Sequence, residues 1–505
     1  MSNHFVRNLF FLLCLNIIIK PLWIFGFDLR IQNLVGETAY GTYFAVSNFT
    51  MIFYVLLDFG IANFNSRALS HQPELIEQYW WSLLGLKIIL GGAYGLVCLV
   101  GAWWLGYDAF QYRLLLMLAF NQVLISFITY FRSNLQGLHF FTKDSWVSVL
   151  DRVVMMVLCG ALLLGVGGYW AKGQSFSVEW FVYIQTFAYL FTAAVCFVLV
   201  WRQTLRPSYK WNSELISNLF RQSAPFALIG LLMSIYSRLD GVMLEYLLPD
   251  GAQQAGIYAT SYRLLDACNM FGVLISTQLL PQFARYCGNG DSHGFENAAA
   301  NNTALYKMVS FAARWLLTGA ILIVMACWLY RQAVMEWLYS NATPFYGQVF
   351  GWLMLSFLPI ASVYVFGTLL TAKGSVRRIN YIVGGGMLLS IVANGWLIPS
   401  YKALGAAWAS LLSQSSIALA FVLSSLPLLI GNEADAANRR RWLYIKAGIR
   451  MLLFIATSGL LLFLCKKLPF PWQLNLVLGV AGGLLSAFAY KILRLNDYKT
   501  FSVSQ

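Results

Sequence analysis

Apolar residues in this chain come in long blocks separated by short polar stretches, and the blocks have the length of membrane spans. A hydrocarbon core about 30 Å thick takes ~20 apolar residues in helical form. Such blocks recur near residues 8–27, 42–64, 80–104, 112–131, 151–170, 178–201, 223–247, 256–281, 306–330, 349–372, 379–399, 403–426, 444–464 and 472–493. Within them apolar and polar positions do not alternate, which excludes a β-barrel and leaves helices, the other structure that satisfies its own backbone in lipid. The pattern predicts an all-α polytopic membrane protein of about fourteen transmembrane helices. The longest polar stretch, Arg285 to Lys307, is too short for a soluble domain.

Composition agrees. Of 505 residues 59% are hydrophobic and 11% charged, whereas soluble domains carry about 25% charged residues. The first block carries Lys20-Pro21 and no small-x-small cleavage site, so it reads as a span rather than a secretion leader. The tail from Asn496 to Gln505 is short and polar, with no lipidation signal. The cysteines sit mostly inside apolar blocks (Cys14, Cys98, Cys159, Cys196, Cys268, Cys327) without CxxC or metal-ligand spacing, as small buried hydrophobes do.

The net charge of +14 would suit nucleic acid if it were clustered. Instead it falls in alternate loops. Arg7, Arg67, Arg132, Lys143, Arg152, Arg202, Arg206, Lys210, Arg221, Arg285, Lys307, Lys373, Arg377, Arg378, Arg439 to Arg441, Lys446, Arg450, Lys491, Arg494 and Lys499 lie on one side, and Arg30, Arg113, Lys172, Arg331, Lys402, Lys466 and Lys467 on the other. This asymmetry of about three to one predicts cytoplasmic termini and no nucleic-acid partner. The run Arg439-Arg440-Arg441 retains its loop in the cytoplasm and suits anionic headgroups of membrane lipids.

Helical geometry arranges the polar residues of three spans into stripes. Ser47, Thr50, Tyr54, Asp58 and Asn65 share a face of the second span; Ser234, Ser237, Arg238 and Glu245 cluster on the seventh; Tyr258, Tyr262, Asp266, Asn269 and Ser276 share a face of the eighth. Such stripes face protein or a watery cavity, and for the hydroxyls interhelical hydrogen bonding is sufficient explanation. Ionised residues are costlier, about 2.5–3.5 kcal/mol each at mid-bilayer. They are Lys20, Asp58, Lys87, Arg238, Asp240, Arg263, Asp266 and Arg314. Lys87 is expected to snorkel to the cytoplasmic interface, and Asp58 to cap a helix end or pair with Arg67. Arg263 and Asp266, three apart, suit mutual neutralisation. Arg238 and Lys20 lie deeper, with no partner at their level on the same helix, and are the leading candidates for a site.

Nothing in the chain suggests catalysis. His4, His71, His139 and His293 lie at the N-terminus or in predicted cytoplasmic loops, no Walker A lysine sits in a glycine-rich loop, and no long outer loop carries paired acids. Gly384-Gly385-Gly386 suits close packing or bending of a helix. A weak internal repeat sets Gly41-Thr42-Tyr43 at the start of the second span and Gly256-Ile257-Tyr258 at the start of the eighth. An even number of spans between the copies implies parallel six-span halves related by a pseudo-twofold axis along the membrane normal.

These residues resemble the polysaccharide-biosynthesis flippases (Wzx type) of the multidrug/oligosaccharidyl-lipid/polysaccharide exporter superfamily, from about Asn8 to Leu493. The resemblance is carried by Leu34-Val35-Gly36 with Tyr40-Gly41-x-Tyr43, Leu57 to Ile61 followed by Arg67, Ala224-Pro225-Phe226 with Leu239 to Leu244, Ala255 to Tyr258 with Pro281, and Pro399 with Leu404 to Ala407. Lys20-Pro21 and Arg238 stand outside the general pattern. The resemblance implies two six-helix lobes, 1–201 and 223–427, joined by a cytoplasmic linker at 202–222 and followed by two helices and a cytoplasmic tail in 428–505. It implies inversion of an undecaprenyl-pyrophosphate-linked oligosaccharide across the bacterial inner membrane for lipopolysaccharide or O-antigen biosynthesis, with a polysaccharide polymerase and glycosyltransferases as partners and no cofactor. Lys20, Arg238, Arg263 and Arg314 would then offset the pyrophosphate charge, Tyr54, Tyr262 and Asn269 would contact the glycan, and Asp58, Asp240 or Asp266 would take a coupling proton or sodium ion. The alternatives are the same fold carrying lipid II or cationic drugs, or a membrane glycan polymerase or acyltransferase.

Overall fold

The structure, a computed structural model, describes residues 19, 21–163, 176–203, 211, 213–288, 295–429 and 434–493. Lys20 and Lys172 lie outside them. Among the described residues every element is a helix, and the usual distribution of side chains is inverted. Ile88, Leu96, Val100, Leu116, Val157 and Leu452 are exposed, while Lys87, Asn65, Asn121, Thr192 and Asn394 are buried. A water-soluble protein would not survive that arrangement, whereas a protein solvated by lipid requires it.

Among the described residues eleven helices are long and apolar enough to cross a membrane, or up to twelve if one bent pair counts as a span. This differs from the fourteen expected, for two physical reasons. Most of the expected first span lies outside the described residues. The expected eleventh and twelfth spans are two helices that meet at a kink at Lys402 (φ 55°, ψ −135°), so the run Val376–Leu429 counts once although it holds both.

The chain divides into two compact units, Met1–Ala259 and Thr260–Gln505. The first opens with a π-turn, Ile24–Asp28, and continues through α1 (Leu29–Val35), α2 (Glu37–Ile52), α3 (Val55–Asp58), α4 (Ile61–His71), α5 (Leu75–Trp104), α6 (Ala109–Gly137), α7 (Phe141–Leu163), α8 (Val178–Trp201) and α9 (Ser213–Leu247), ending in the first turns of α10 (Gly251–Gly288). Helix α6 starts with a capping box: Asp108 accepts from the Gln111 backbone at 2.7 Å and Gln111 accepts from the Asp108 backbone at 2.8 Å. The core beside α5 is aromatic, with Trp80 packed against Tyr130, Phe131, Phe197 and Trp201. Asp144 closes the α6–α7 hairpin, accepting from Arg132 at 2.6 and 3.3 Å and from Gln136 at 2.9 Å.

The span that begins at Glu37 is broken. Its parts, Glu37–Ile52 and Val55–His71, meet at 42°. That angle lies at Phe53 and Tyr54; further on, between α3 and α4, Phe59 (φ 45°) and Gly60 (φ 81°) are both left-handed. Two consecutive residues in that region end a helix; Gly60 adopts it without a Cβ penalty, and a Cβ there would also meet the Ser223 hydroxyl at 2.9 Å.

The second unit holds the rest of α10, then α11 (Phe295–Leu329), α12 (Arg331–Leu338), α13 (Pro344–Leu355), α14 (Phe357–Ala372), α15 (Val376–Leu429), α16 (Ala434–Lys466) and α17 (Trp472–Ala489). Helices α16 and α17 form a tight hairpin: a Cβ on Gly479 would come 2.6 Å from Leu462, and the Ser458 and Ser486 hydroxyls meet at 3.1 Å. Trp328, Trp352, Trp408 and Tyr401 form a chain of ring contacts with Arg331 over Trp328, in keeping with aromatic residues at a membrane interface.

Candidate functional site

In the first unit the polar residues of α2 and α9 meet along one helix–helix contact. The helices run so close that the Gly241 position has no room for a side chain, since a Cβ would lie 2.6 Å from Asn48 Nδ2 and 2.8 Å from the Phe44 ring. One turn away, Arg238 Nη1 reaches Asn48 Oδ1 at 3.5 Å. Asp240, 2% exposed, accepts a 2.7 Å hydrogen bond from the Tyr258 hydroxyl. Further along α9, Glu245 accepts from Gln111 at 3.0 Å. Beside it Tyr107, in the turn between α5 and α6, has a buried hydroxyl whose pKa is pushed up by burial, with the Glu245 charge adding to the effect.

The two Gly-x-Tyr segments cross each other here, reciprocally. A Cβ on Gly41 would lie 1.8 Å from the Ala252 carbonyl oxygen, and one on Gly256 would lie 2.1 Å from the Glu37 carbonyl oxygen. Ala252 follows Glu37, and Gly256 follows Gly41, by the same number of residues, so the pair of contacts has twofold form. Gln32 donates to the Gly256 carbonyl at 3.3 Å and Gln253 to Glu37 at 3.1 Å. A second correspondence accompanies it. Asp28, also buried, accepts from the Tyr40 hydroxyl at 3.0 Å, as Asp240 does from Tyr258. In both cases an aspartate receives a tyrosine from the start of the following long helix.

The broken span carries the second cluster. Lys87 is not at an interface, as expected from snorkelling, but 2% exposed in the interior. Its ammonium pairs with Asp58 at 2.9 Å, so Asp58 is held by Lys87 rather than by Arg67. Two other members of the second-span stripe join helices: Asn65 donates to Ser133 at 2.9 Å, and the Thr50 carbonyl accepts from Tyr94 at 2.9 Å. Tyr54 is half-buried at the bend.

In the second unit Tyr262 is buried, while Arg263, Asp266 and Asn269 are half-buried along α10. Asn269 Oδ1 is shielded from solvent with no hydrogen-bond partner among the described residues, which is unusual for an amide oxygen. Arg314 on α11 is half-buried and donates from Nε to the Ser310 carbonyl at 3.2 Å. Ser276 meets Thr368 at 2.5 Å, joining α10 to α14.

Sequence reasoning missed Asp28, Asn48, Ser126 and Gln185, the last donating to Tyr43 at 2.9 Å. It also placed Arg152 in a loop, whereas it lies in α7, 3.6 Å from Asp151 and over the Trp23 ring. Among the described residues no group of three or more His, Cys, Asp or Glu side chains is placed to hold a metal.

Comparison with known proteins agrees with this architecture. The family profile described as "Polysaccharide biosynthesis protein" matches residues 5–287. Curated proteins named lipid III flippase, from Escherichia coli (strain K12) and Shigella flexneri, are each 27% identical over 210 residues, 41% of this chain and 45% of theirs. The chain thus spans about half the length of those relatives. Among solved structures, the lipid II flippase MurJ in an inward closed conformation matches with TM-score 0.61 at 12% identity, over 92% of this chain and 97% of that one. An inward-facing multidrug resistance MATE transporter of the MOP superfamily matches with TM-score 0.60 at 14% identity, over 82% and 94%. At such identities the structural likeness speaks for the fold.

Proposed function

Since the chain belongs to the polysaccharide biosynthesis protein family, we propose that it is a flippase carrying an undecaprenyl-pyrophosphate-linked oligosaccharide from the inner to the outer leaflet of the bacterial cytoplasmic membrane. The observation that carries this reading is Arg238. A guanidinium is half-buried within a span and steadied by the neutral Asn48 amide. A planar fork of donors in a low-dielectric setting suits a pyrophosphate. Lys20, Arg263 and Arg314 would add positive charge, and Tyr54, Tyr262 and Asn269 would contact the glycan. The unsatisfied Asn269 oxygen supports that role, because a sugar hydroxyl could donate to it. The two six-helix lobes, 1–201 and 223–427, would rock about the fixed cargo, with the Gly41–Gly256 crossing as the outer closure and both termini cytoplasmic. No nucleotide-hydrolysis motif is present, so an ion gradient would supply the energy. With Asp58 held by Lys87, Asp240 or Asp266 is the better place for a coupling proton or sodium ion. A polymerase and glycosyltransferases would act on either side of the step.

The test is glycan export per molecule of protein in the membrane. Arg238→Ala should abolish export while the protein still reaches the membrane, and Arg238→Lys should retain part of it. Normal export by Arg238→Ala would remove Arg238 from the site. The same fold serves a lipid II flippase, so lipid II is the second cargo to test. Reconstituted vesicles offered lipid II and an O-antigen-type lipid-linked oligosaccharide in parallel would decide between them.

A further inference from the structure

The break between α3 and α4 is built around one nitrogen atom. Where the chain turns left-handed at Phe59 and Gly60, helix α3 presents carbonyl oxygens that need donors from elsewhere. Lys87 Nζ fills that place. It lies 3.0 Å from the Leu57 carbonyl, 2.9 Å from Asp58 Oδ1, 2.7 Å from Ser126 Oγ and 3.4 Å from the Ser126 carbonyl. Ser126 closes the ring by donating its own hydroxyl to Leu57 at 3.0 Å. One carboxylate, two main-chain carbonyls and a hydroxyl therefore surround a buried cation.

That is an all-oxygen shell with a single negative charge, the donor set that hard monovalent cations take from proteins. A lysine ammonium is itself a compact point charge. We propose that this cluster is a monovalent-cation site whose resident occupant is the protein's own Lys87. The lysine stands where a free potassium, sodium or ammonium ion would otherwise bind, and so makes the break at Phe59 and Gly60 independent of the surrounding salt. The distances are too long for magnesium, which binds oxygen at about 2.0–2.1 Å, and a divalent ion would overcompensate the one carboxylate. The proposal does not depend on the cargo.

Removing the tether should expose the site. The full-length chain, purified in detergent, is melted in potassium, sodium, methylammonium and choline chloride at equal ionic strength. Wild type should melt alike in all four. K87A should melt lower in choline and regain about 3 °C or more, saturably, with potassium, sodium or methylammonium. K87A/D58N, which lacks the carboxylate, should regain nothing. Equal melting of K87A in all four salts, or an equal rise in K87A/D58N, would overturn the proposal. If K87A accumulates too poorly to purify, K87Q serves. Its amide keeps hydrogen-bond donors but no charge and blocks entry of an ion, so it should be destabilised and indifferent to salt. Wild-type stability of K87Q would show that the shell needs donors rather than a cation, and would equally overturn the proposal.

Discussion

Substituting Gly41 by alanine adds one methyl group at the point where α2 and the start of α10 cross. Its carbon would stand 1.8 Å from the Ala252 oxygen, 2.6 Å from the Gly256 nitrogen and 2.9 Å from the Ala252 carbonyl carbon. All three are backbone atoms, so no side chain can swing aside. Restoring ordinary contact at 3.4 Å requires the helices to part by about 1.6 Å. Overpacking of this kind costs about 1–3 kcal/mol or more, and every 1.4 kcal/mol is about tenfold in an equilibrium. The crossed arrangement should become some ten- to a hundredfold less populated. Gly256→Ala should act alike, because its Cβ meets the Glu37 carbonyl in the mirrored contact. Gly95→Ala on α5 is the control, since a Cβ there meets nothing within 4 Å. The assay is oxidative cross-linking of Glu37→Cys to Gln253→Cys, whose native side chains lie 3.1 Å apart, in a background without the native cysteines. The parent and Gly95→Ala should cross-link readily in native membranes, and the other two should not. Cross-linking of Gly41→Ala at the parent rate would refute the argument that this contact depends on bare backbone.

Two further predictions follow from charge and from buried hydrogen bonds. Single cysteines at Arg331 or Lys466 should react with impermeant maleimide in intact cells, and cysteines at Arg206 or Arg440 should not; the reverse would invert the topology. Tyr258→Phe removes one hydroxyl donor from the buried Asp240 carboxylate, a hydrogen bond to a charged group worth about 1.5–3 kcal/mol, and Tyr40→Phe does the same to Asp28. Both should lower the melting temperature; an unchanged melting temperature in either would show that the hydroxyl contributes nothing there.

The helices were legible because a span in lipid needs a continuous apolar run, a signal that one sequence carries by itself. The boundary at Lys402 between two spans was legible from hydropathy, which records depth; the positive φ that joins the two helices there was not. The Gly-x-Tyr repeat was visible as a pattern. That the two copies touch was not, since contact between residues more than two hundred positions apart leaves no mark on local periodicity. Lys87 was misread for the same reason. Its distance from the polar loop suits snorkelling, and the partners that hold it inside, Leu57, Asp58 and Ser126, come from other helices. Asp28 went unnoticed because it stands at the end of an apolar block, where an acid looks like an interfacial residue. The polar residues of the second span divide between neighbours. The Thr50 carbonyl accepts from Tyr94 on α5 and Asn65, on α4, donates to Ser133 on α6, whereas Asn48, which no stripe included, reaches Arg238.

These assignments bear on how a broken span can work in transport. Helix α2 is engaged on two sides within the first unit, by α9 and the start of α10 through Gly241, Asn48 and Gly41, and by α5 through Tyr94. Below the bend, α4 is fixed to α6 by Asn65 and Ser133. If a charge-assisted shell of four oxygens around Lys87 holds the break at Phe59 and Gly60, that break is the stiff part of the span. Hydrogen bonds to ionised groups are worth about 1.5–3 kcal/mol each, and losing one partner of a buried pair costs about 3–5 kcal/mol. The glycine crossing depends instead on bare backbone at Gly41 and Gly256, with the Gln32–Gly256 and Gln253–Glu37 hydrogen bonds beside it. On the proposed reading as a flippase, a contact held by close packing is the one that a change between inward and outward states would part, carrying the break at Phe59 and Gly60 through unchanged.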